Sequence, residues 1–265
     1  MSKDLDMVLV ERSIQPRLDG KVAVVTGGSR GIGEAIARAY ARAGADVVIA
    51  SRKLEACERV ADQIRRQTGR RALAVGTHVG KWNDCDQLHR RVFDEFGRCD
   101  VLVNNAGMSP LYPDLSSITE EYYDKVHAVN LKGPFRLSVL FGTAMVNAGG
   151  GAIINVSTIG SLRPGSTEIV YACAKAGLNA LTIALSEAFG PTVRVNGILP
   201  GAVDTDIAET WTEEHRQHAA KASALGRMGI AEDFAGPALW LATEASAFVT
   251  GILVRVDGGA YRQMS

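Results

Sequence analysis

The sequence has no uninterrupted apolar run near the roughly 20 residues needed to cross a bilayer, so no membrane-spanning segment is expected. It has no charge imbalance either: Lys+Arg 29 offset Asp+Glu 29, a formal net charge of +0. That removes any global electrostatic reason to expect nucleic acid or an anionic membrane as a partner. Cysteine is scarce. Cys57, Cys85, Cys99 and Cys173 form no CxxC pair and no metal-ligand spacing, which points to reduced thiols in a cytoplasmic protein. His215 and His218 lie three apart without cysteine or acidic partners at ligand spacing. No metal site is therefore expected, and a solvated or lid-lining role is. Asp4 and Asp6 interrupt the first stretch of the chain, against a secretory signal, and the closing Gln-Met-Ser matches no targeting or lipidation motif. No composition break, internal repeat or low-complexity tract divides the chain.

What is present fits one soluble domain: 265 residues with 46% hydrophobic and 22% charged can bury a substantial core. Residues 1–19 read as a polar extension and 20–265 as the domain. Short apolar runs at 21–26, 46–50, 72–76, 101–104, 153–156, 193–199 and 252–256 read as buried strands. Helical patterns alternate with them, up to residue 43 after the first strand and then at 54–67, 84–96, 119–146 and 232–242; a further helix carries Tyr171 and Lys175. Pro134 is awkward inside the fourth of these, where a kink or a shifted boundary is expected. Alternation of this kind implies right-handed crossovers and a single Rossmann-type, doubly wound parallel α/β sheet of about seven strands with helices on both faces.

Three features carry chemistry. Tyr171 and Lys175 stand four apart on a helix rich in small residues, so phenol and ammonium share one face and can act as a proton-handling pair. Between the first strand and its helix lies Gly27-Gly28-Ser29-Arg30-Gly31-Ile32-Gly33, a glycine turn that lets a pyrophosphate approach the backbone at a helix N-terminus. Ala50-Ser51-Arg52-Lys53 ends the second strand without the carboxylate that a ribose 2′-hydroxyl requires. Arg52 instead offers a planar fork for a 2′-phosphate, with Arg30 approaching from the glycine turn. NADP(H) is expected over NAD(H), which stays possible.

Together these motifs resemble the short-chain dehydrogenase/reductase family. The resemblance rests on 26–33, Asn104-Asn105-Ala106-Gly107, Asn130, Tyr171 with Lys175, Pro200-Gly201 with Thr205, and Asp257-Gly258-Gly259, in family order along nearly the whole chain. It implies that Tyr171 is the general acid in ketone reduction and the base in alcohol oxidation. Lys175 would hold the nicotinamide ribose and lower the tyrosine pKa, and Asn130 would bond a helix carbonyl and water in a proton relay. Cofactor contacts are implied for Gly27, Ser29, Arg30, Gly31, Ile32, Gly33, Ser51, Arg52, Lys53, His78, Val79, Asn104, Ala106, Gly107, Pro200, Gly201, Val203 and Thr205, besides Tyr171 and Lys175. A cation about 4 Å from the phenol at an effective dielectric near 20 contributes about 4 kcal/mol, or up to about three pKa units.

Two departures stand out. The family's serine lies thirteen residues before the tyrosine, which here is Thr158, with Ser157 as the reserve. A usual Asp-Val pair after the third strand is replaced by His78-Val79, as in a carbonyl-reductase branch of the family that includes NADPH-dependent retinal and diketone reductases. The activity implied is NADPH-dependent reduction of a ketone or aldehyde, a 3-oxoacyl thioester or another apolar carbonyl compound. The alternatives are an alcohol or hydroxysteroid dehydrogenase working in oxidation, and a nucleotide-binding protein without turnover. The substrate wall is expected at 108–112, 159–163 and around Ile207, Trp211 and Met228, with 206–228 as a lid. Ala172, Ala174, Ala176, Gly177, Ala180 and Ala184 give the Tyr171 helix a small-residue surface of the kind through which family members form tetramers.

Overall fold

A computed structural model describes residues 16–205 and 211–261. Positions 1–15 of the expected extension and 206–210 of the expected lid, Ile207 among them, lie outside the described residues. The first two strands, β1 (Val22–Thr26) and β2 (Asp46–Ser51), alternate strictly between two cores. Ala23, Val25, Val47 and Ile49 enter one apolar cluster, whereas Val24, Val48 and Ala50 enter the other. With apolar residues on both faces, such strands are stable only when helices cover both sides. Together with β3 (Ala72–Gly76), β4 (Val101–Asn104), β5 (Gly151–Val156), β6 (Val193–Pro200) and β9 (Leu253–Val256) they form a 7-stranded parallel sheet. Its order is β3-β2-β1-β4-β5-β6-β9. β7 (Val203–Asp204) and β8 (Gly229–Ile230) pair separately beyond it.

The helices α1 (Gly31–Arg42), α2 (Leu54–Thr68) and α7 (Ala235–Ala242) cover the first cluster. On the opposite face lie α3 (Trp82–Phe96), α5 (Gly133–Asn147) and α6 (Ile169–Ala188). Strand order reverses direction between β1 and β4, which opens the ligand crevice of a doubly wound sheet at the carboxyl ends of those strands.

Three elements differ from the sequence reading. The expected helix at 119–146 is two, α4 (Glu120–His127) and α5, joined by a π-helical turn at Ala128–Lys132. Pro134 has no N–H to give to the Asn130 carbonyl; it fits only in the first turn of α5, and Gly133 N donates to Ala128 O across the wider turn. The expected helix at 232–242 opens as a 3₁₀ turn over Ala231–Phe234, because Pro237 likewise lacks a donor for the first α-helical bonds. Third, α6 is 20 residues long and holds an 18-residue stretch with a mean hydropathy of 1.4, long and apolar enough to cross a membrane by length and composition. In the fold it buries Val170, Ala174, Lys175, Leu178 and Leu185 and packs against β6, which is the position of a core helix.

A ladder of polar side chains crosses the sheet under the crevice. Asn104 Nδ2 donates to Ser138 Oγ at 3.0 Å and to Asn155 Oδ1 at 2.9 Å, while Asn155 Nδ2 donates to Thr182 Oγ1 at 2.9 Å. The ladder ties α5 to β4, β5 and α6, and all four side chains are buried. Truncation at Asn155 strands one buried N–H of Asn104. Urea unfolding of Asn155→Ala should therefore give a stability lower by about 2–3 kcal/mol, a lost hydrogen bond plus an unpaired buried donor.

Candidate active site

The cleft is built first by glycine. Gly27 and Gly31 have φ of 64° and 53°, which turns the chain out of β1 and into α1 with its first amides facing the crevice. A Cβ on Gly33 would overlap the Gly27 carbonyl and the Asn105 amide, so the helix sits this close to the turn only with glycine there. Arg30 stands at the N-cap of α1 and its side chain does not cap the helix. Unsatisfied amides, a positive helix end and a cradle that a side chain would fill suit the pyrophosphate of a dinucleotide.

Thr26 closes the other wall. Its hydroxyl donates to Val103 O at 3.1 Å and accepts from Asn105 N and Ala106 N at 3.0 and 3.1 Å. Asn105 Nδ2 donates to Thr26 O at 2.9 Å and Gly27 O at 3.2 Å, so Asn105 holds the glycine turn. The sequence reading assigned nothing to Asn105, although it sits inside the quoted motif. Asn104 lies beneath, in the polar ladder.

The remaining positions expected near a nucleotide lie along the strand ends. Ser51 is half-buried, and Arg52 and Lys53 are exposed where β2 meets α2. His78 Nδ1 accepts from Gly80 N at 3.2 Å, and Val79 is buried with its carbonyl too near Gly133 for any side chain there. Pro200 ends β6, and Gly201 N bonds Val256 O at 3.1 Å. Val203 pairs with Gly229 in the small second sheet. Thr205 reaches back to the glycine turn, its Cγ2 lying 3.5 Å from where a Cβ on Gly31 would stand. Ser29 and Ile32 are half-buried in the same turn.

At the end of β5 the two adjacent hydroxyls part. Ser157 is buried, its single hydroxyl proton in reach of Lys175 O at 3.3 Å or Ser161 Oγ at 3.4 Å. Thr158 is half-buried, accepts from Gly160 N at 3.1 Å, and its hydroxyl stands near enough to the Tyr171 phenol to oppose the rise of that phenol's pKa. Lys175 is buried and donates from Nζ to Val156 O at 2.7 Å. Gly107 leaves the gap that brings its neighbours together: a Cβ there would stand 3.1 Å from Asn130 Oδ1 and 3.6 Å from Lys175 Nζ. Asn130 Nδ2 donates to Val126 O at 2.9 Å, the helix-carbonyl bond expected of it, and to Met108 O at 2.8 Å. Its Oδ1 accepts from Met108 N at 3.2 Å. A second clasp lies at the rim, where the Tyr112 phenol donates to Ser166 O at 2.8 Å and accepts from Ile169 N at 3.1 Å. Ile169 is the first residue of α6, so this phenol ties the loop after β4 to the start of the helix that carries Tyr171 and Lys175.

The electrostatics correct one expectation. Lys175 does not lower the Tyr171 pKa: burial pushes the phenol up, the Glu168 carboxylate adds to the rise, and the Thr158 hydroxyl opposes it. The ammonium lies 5.8 Å from the centre of the ring and bonds the Val156 carbonyl instead. Burial also drives the Lys175 pKa down to about 7, so near neutrality much of the charge needed to stabilise a phenolate is gone.

Known proteins resemble this chain along most of its length. A family model described as enoyl-(acyl carrier protein) reductase matches residues 27–261. A 3-oxoacyl-(acyl-carrier-protein) reductase of Chlamydia trachomatis is 37% identical over 91% of this chain and 98% of its own. An L-rhamnose 1-dehydrogenase (NAD(P)(+)) of Azotobacter vinelandii is 38% identical over 91% of this chain and 96% of its own. Among solved structures, a 7α-hydroxysteroid dehydrogenase in complex with NADH and 7-oxo glycochenodeoxycholic acid superposes with a TM-score of 0.90 at 31% identity. That match covers 96% of this chain and 99% of the other. With the sheet order, the glycine turn and the Tyr–Lys helix already in place, these likenesses make the chain a member of the short-chain dehydrogenase/reductase family, an oxidoreductase acting on alcohol and carbonyl groups.

Proposed function

We propose that the protein is an NADPH-dependent reductase of ketones or aldehydes carried on an apolar body, 3-oxoacyl thioesters included. The observation that carries the reading is the placing of Tyr171 and the buried Lys175 amine on one helix, 5.8 Å from ring centre to Nζ, with Gly107 leaving room between Lys175 and Asn130 and the Thr158 hydroxyl near enough to act on the phenol. When bound, the reduced nicotinamide supplies the hydride. Tyr171, kept protonated by burial, is suited to give its proton to the forming alkoxide. Thr158 polarises the same oxygen, while Ser157 serves the helix; the methyl of Thr158 restricts χ1 and fixes the hydroxyl's direction. Lys175 and the Asn130 carbonyl, which Pro134 leaves without its usual donor, are the polar groups for a ribose and a relayed water.

The domain is 20–265. Gly27, Ser29, Arg30, Gly31, Ile32 and Gly33 hold the pyrophosphate, and Asn104, Ala106, Gly107, His78 and Val79 back the adenosine. Pro200, Gly201, Val203 and Thr205 flank the nicotinamide. Preference for NADP(H) rests on Ser51, Arg52 and Lys53, a strand end with two exposed cations and no carboxylate. Met108 and Ile159, both half-buried, and Trp211 at the start of the described part of the lid support an apolar substrate wall. Self-association, as a tetramer, is supported by the exposed face of α6 formed by Cys173, Ala176, Ala180 and Ala184 with Ile183, which is 52% exposed. A cytoplasmic setting is supported by the free thiols of Cys57, Cys85, Cys99 and Cys173.

A carbonyl panel followed by NADPH absorbance should show turnover that Tyr171→Phe removes. Thr158→Val should lower kcat by about a hundredfold or more, the usual cost of one oxyanion donor, while Thr158→Ser and Ser157→Ala keep most of it. Full activity in Thr158→Val with loss in Ser157→Ala reverses the assignment. Arg52→Asp should shift the NADPH-to-NADH ratio of kcat/KM by about ten- to a hundredfold toward NADH, one charge-assisted bond at a 2′-phosphate. An unchanged ratio overturns the cofactor reading. The Lys175 pKa gives a test without turnover. Between about pH 7 and 10 the unfolded chain holds a proton that folded Lys175 has released, so stability without nucleotide rises with pH across that window. Thermal melts of Lys175→Met should lose that rise.

A further inference from the structure

We propose that Glu168 selects the substrate: its carboxylate, resting on the Thr158–Gly160 turn one helical step before Tyr171, takes a hydroxyl or a protonated amine placed beside the reacting carbonyl. The inference rests on the reductase reading above and narrows its substrate class.

Glu168 stands at the N-cap of α6, yet its side chain does not cap that helix. It turns back over Gly160 instead, where Oε1 fills the space that a Cβ on Gly160 would need. The same Gly160 gives its N–H to the Thr158 hydroxyl at 3.1 Å. Three residues on, one turn along the same side of the helix, is Tyr171. The carboxylate thus shares one turn with both hydroxyls that face the carbonyl. It also has no counter-ion: none of the ion pairs among the described residues includes Glu168, and only the nearby Gly165 backbone opposes the rise of its pKa.

A half-buried carboxylate without a cation is costly to keep ionised. Burial raises its pKa, and its charge in turn raises that of Tyr171. A donor on the substrate relieves both effects, since a hydrogen bond to the carboxylate favours its charged form and screens the phenol from it. Elsewhere the wall is apolar, with Met108 and Ile159 half-buried beside the cleft and Leu162 exposed at its rim. An apolar ketone bearing one donor next to the carbonyl matches that pattern. A 3-oxoacyl thioester, with no donor there, is disfavoured.

The test compares propiophenone with its α-hydroxy and α-dimethylamino derivatives, using the full chain and saturating NADPH. Wild type should favour at least one derivative over propiophenone by about ten- to a hundredfold in kcat/KM, the range of a hydrogen bond to a charged group. Glu168→Ala should bring that ratio close to one. Glu168→Gln separates the donors, because an amide oxygen still accepts from a hydroxyl but offers no charge to an ammonium. Thermal melts matching wild type keep the collapse assigned to the carboxylate. Equal use of all three ketones by wild type, or a preference that survives Glu168→Ala, overturns the role of Glu168 and leaves the reductase reading standing. Turnover of none of them overturns both.

Discussion

One hydroxyl holds the crevice in shape. Thr26 donates to the Val103 carbonyl and accepts from two successive amides, Asn105 N and Ala106 N, so the ends of β1 and β4 are fixed to each other at the point where the strand order reverses. Asn105 adds two bonds back to the same strand end and fills the space beside Gly27 and Gly33. The glycine turn, the amides of α1 and the loop that carries Gly107 all take their positions from this joint. Parallel strands with apolar side chains on both faces supply the rigid frame, but their polar ends have to be pinned individually.

The site behind that joint is organised by burial as much as by charge. Lys175 is buried between α6 and the sheet, bonded to the Val156 carbonyl at the end of β5, and the cost of desolvation draws its pKa toward neutrality. Tyr171 is pushed the other way, toward keeping its proton. A phenol that holds its proton beside an amine that has released much of its own is the starting condition for giving a proton to an alkoxide. Anything that binds Lys175 as an ammonium and separates Tyr171 from Glu168 would move the pair toward the opposite direction of reaction.

Much of this was legible in the residues. The seven strands follow from apolar runs that only a doubly covered sheet can accommodate, and the i, i+4 spacing of Tyr171 and Lys175 puts both on the same face of α6. The glycine turn and the lack of an acid after β2 were equally plain, because each depends on residue type at one fixed place. What escaped depends on three-dimensional neighbours. Pro134 announced a break but not that a π turn would absorb it. Asn105 was hidden beside Asn104, and only the backbone path decides which of the two faces the turn. The charge on Lys175 depends on how completely the fold dries it, which spacing does not encode. The apolar character of α6 is spread around a helix that still carries buried Lys175 and Asn179, so no run in the sequence signals it.

The phenol of Tyr112 has a mechanical consequence. By bonding both Ser166 O and Ile169 N, it fastens the loop after β4 to the segment leading into α6 at two points. Tyr122 packs edge-on against the same ring at 5.9 Å, which leaves that ring little freedom to swing alone. Moving either segment without the other therefore costs both bonds of the phenol, and one of those bonds is held by the first residue of the helix that carries Tyr171 and Lys175.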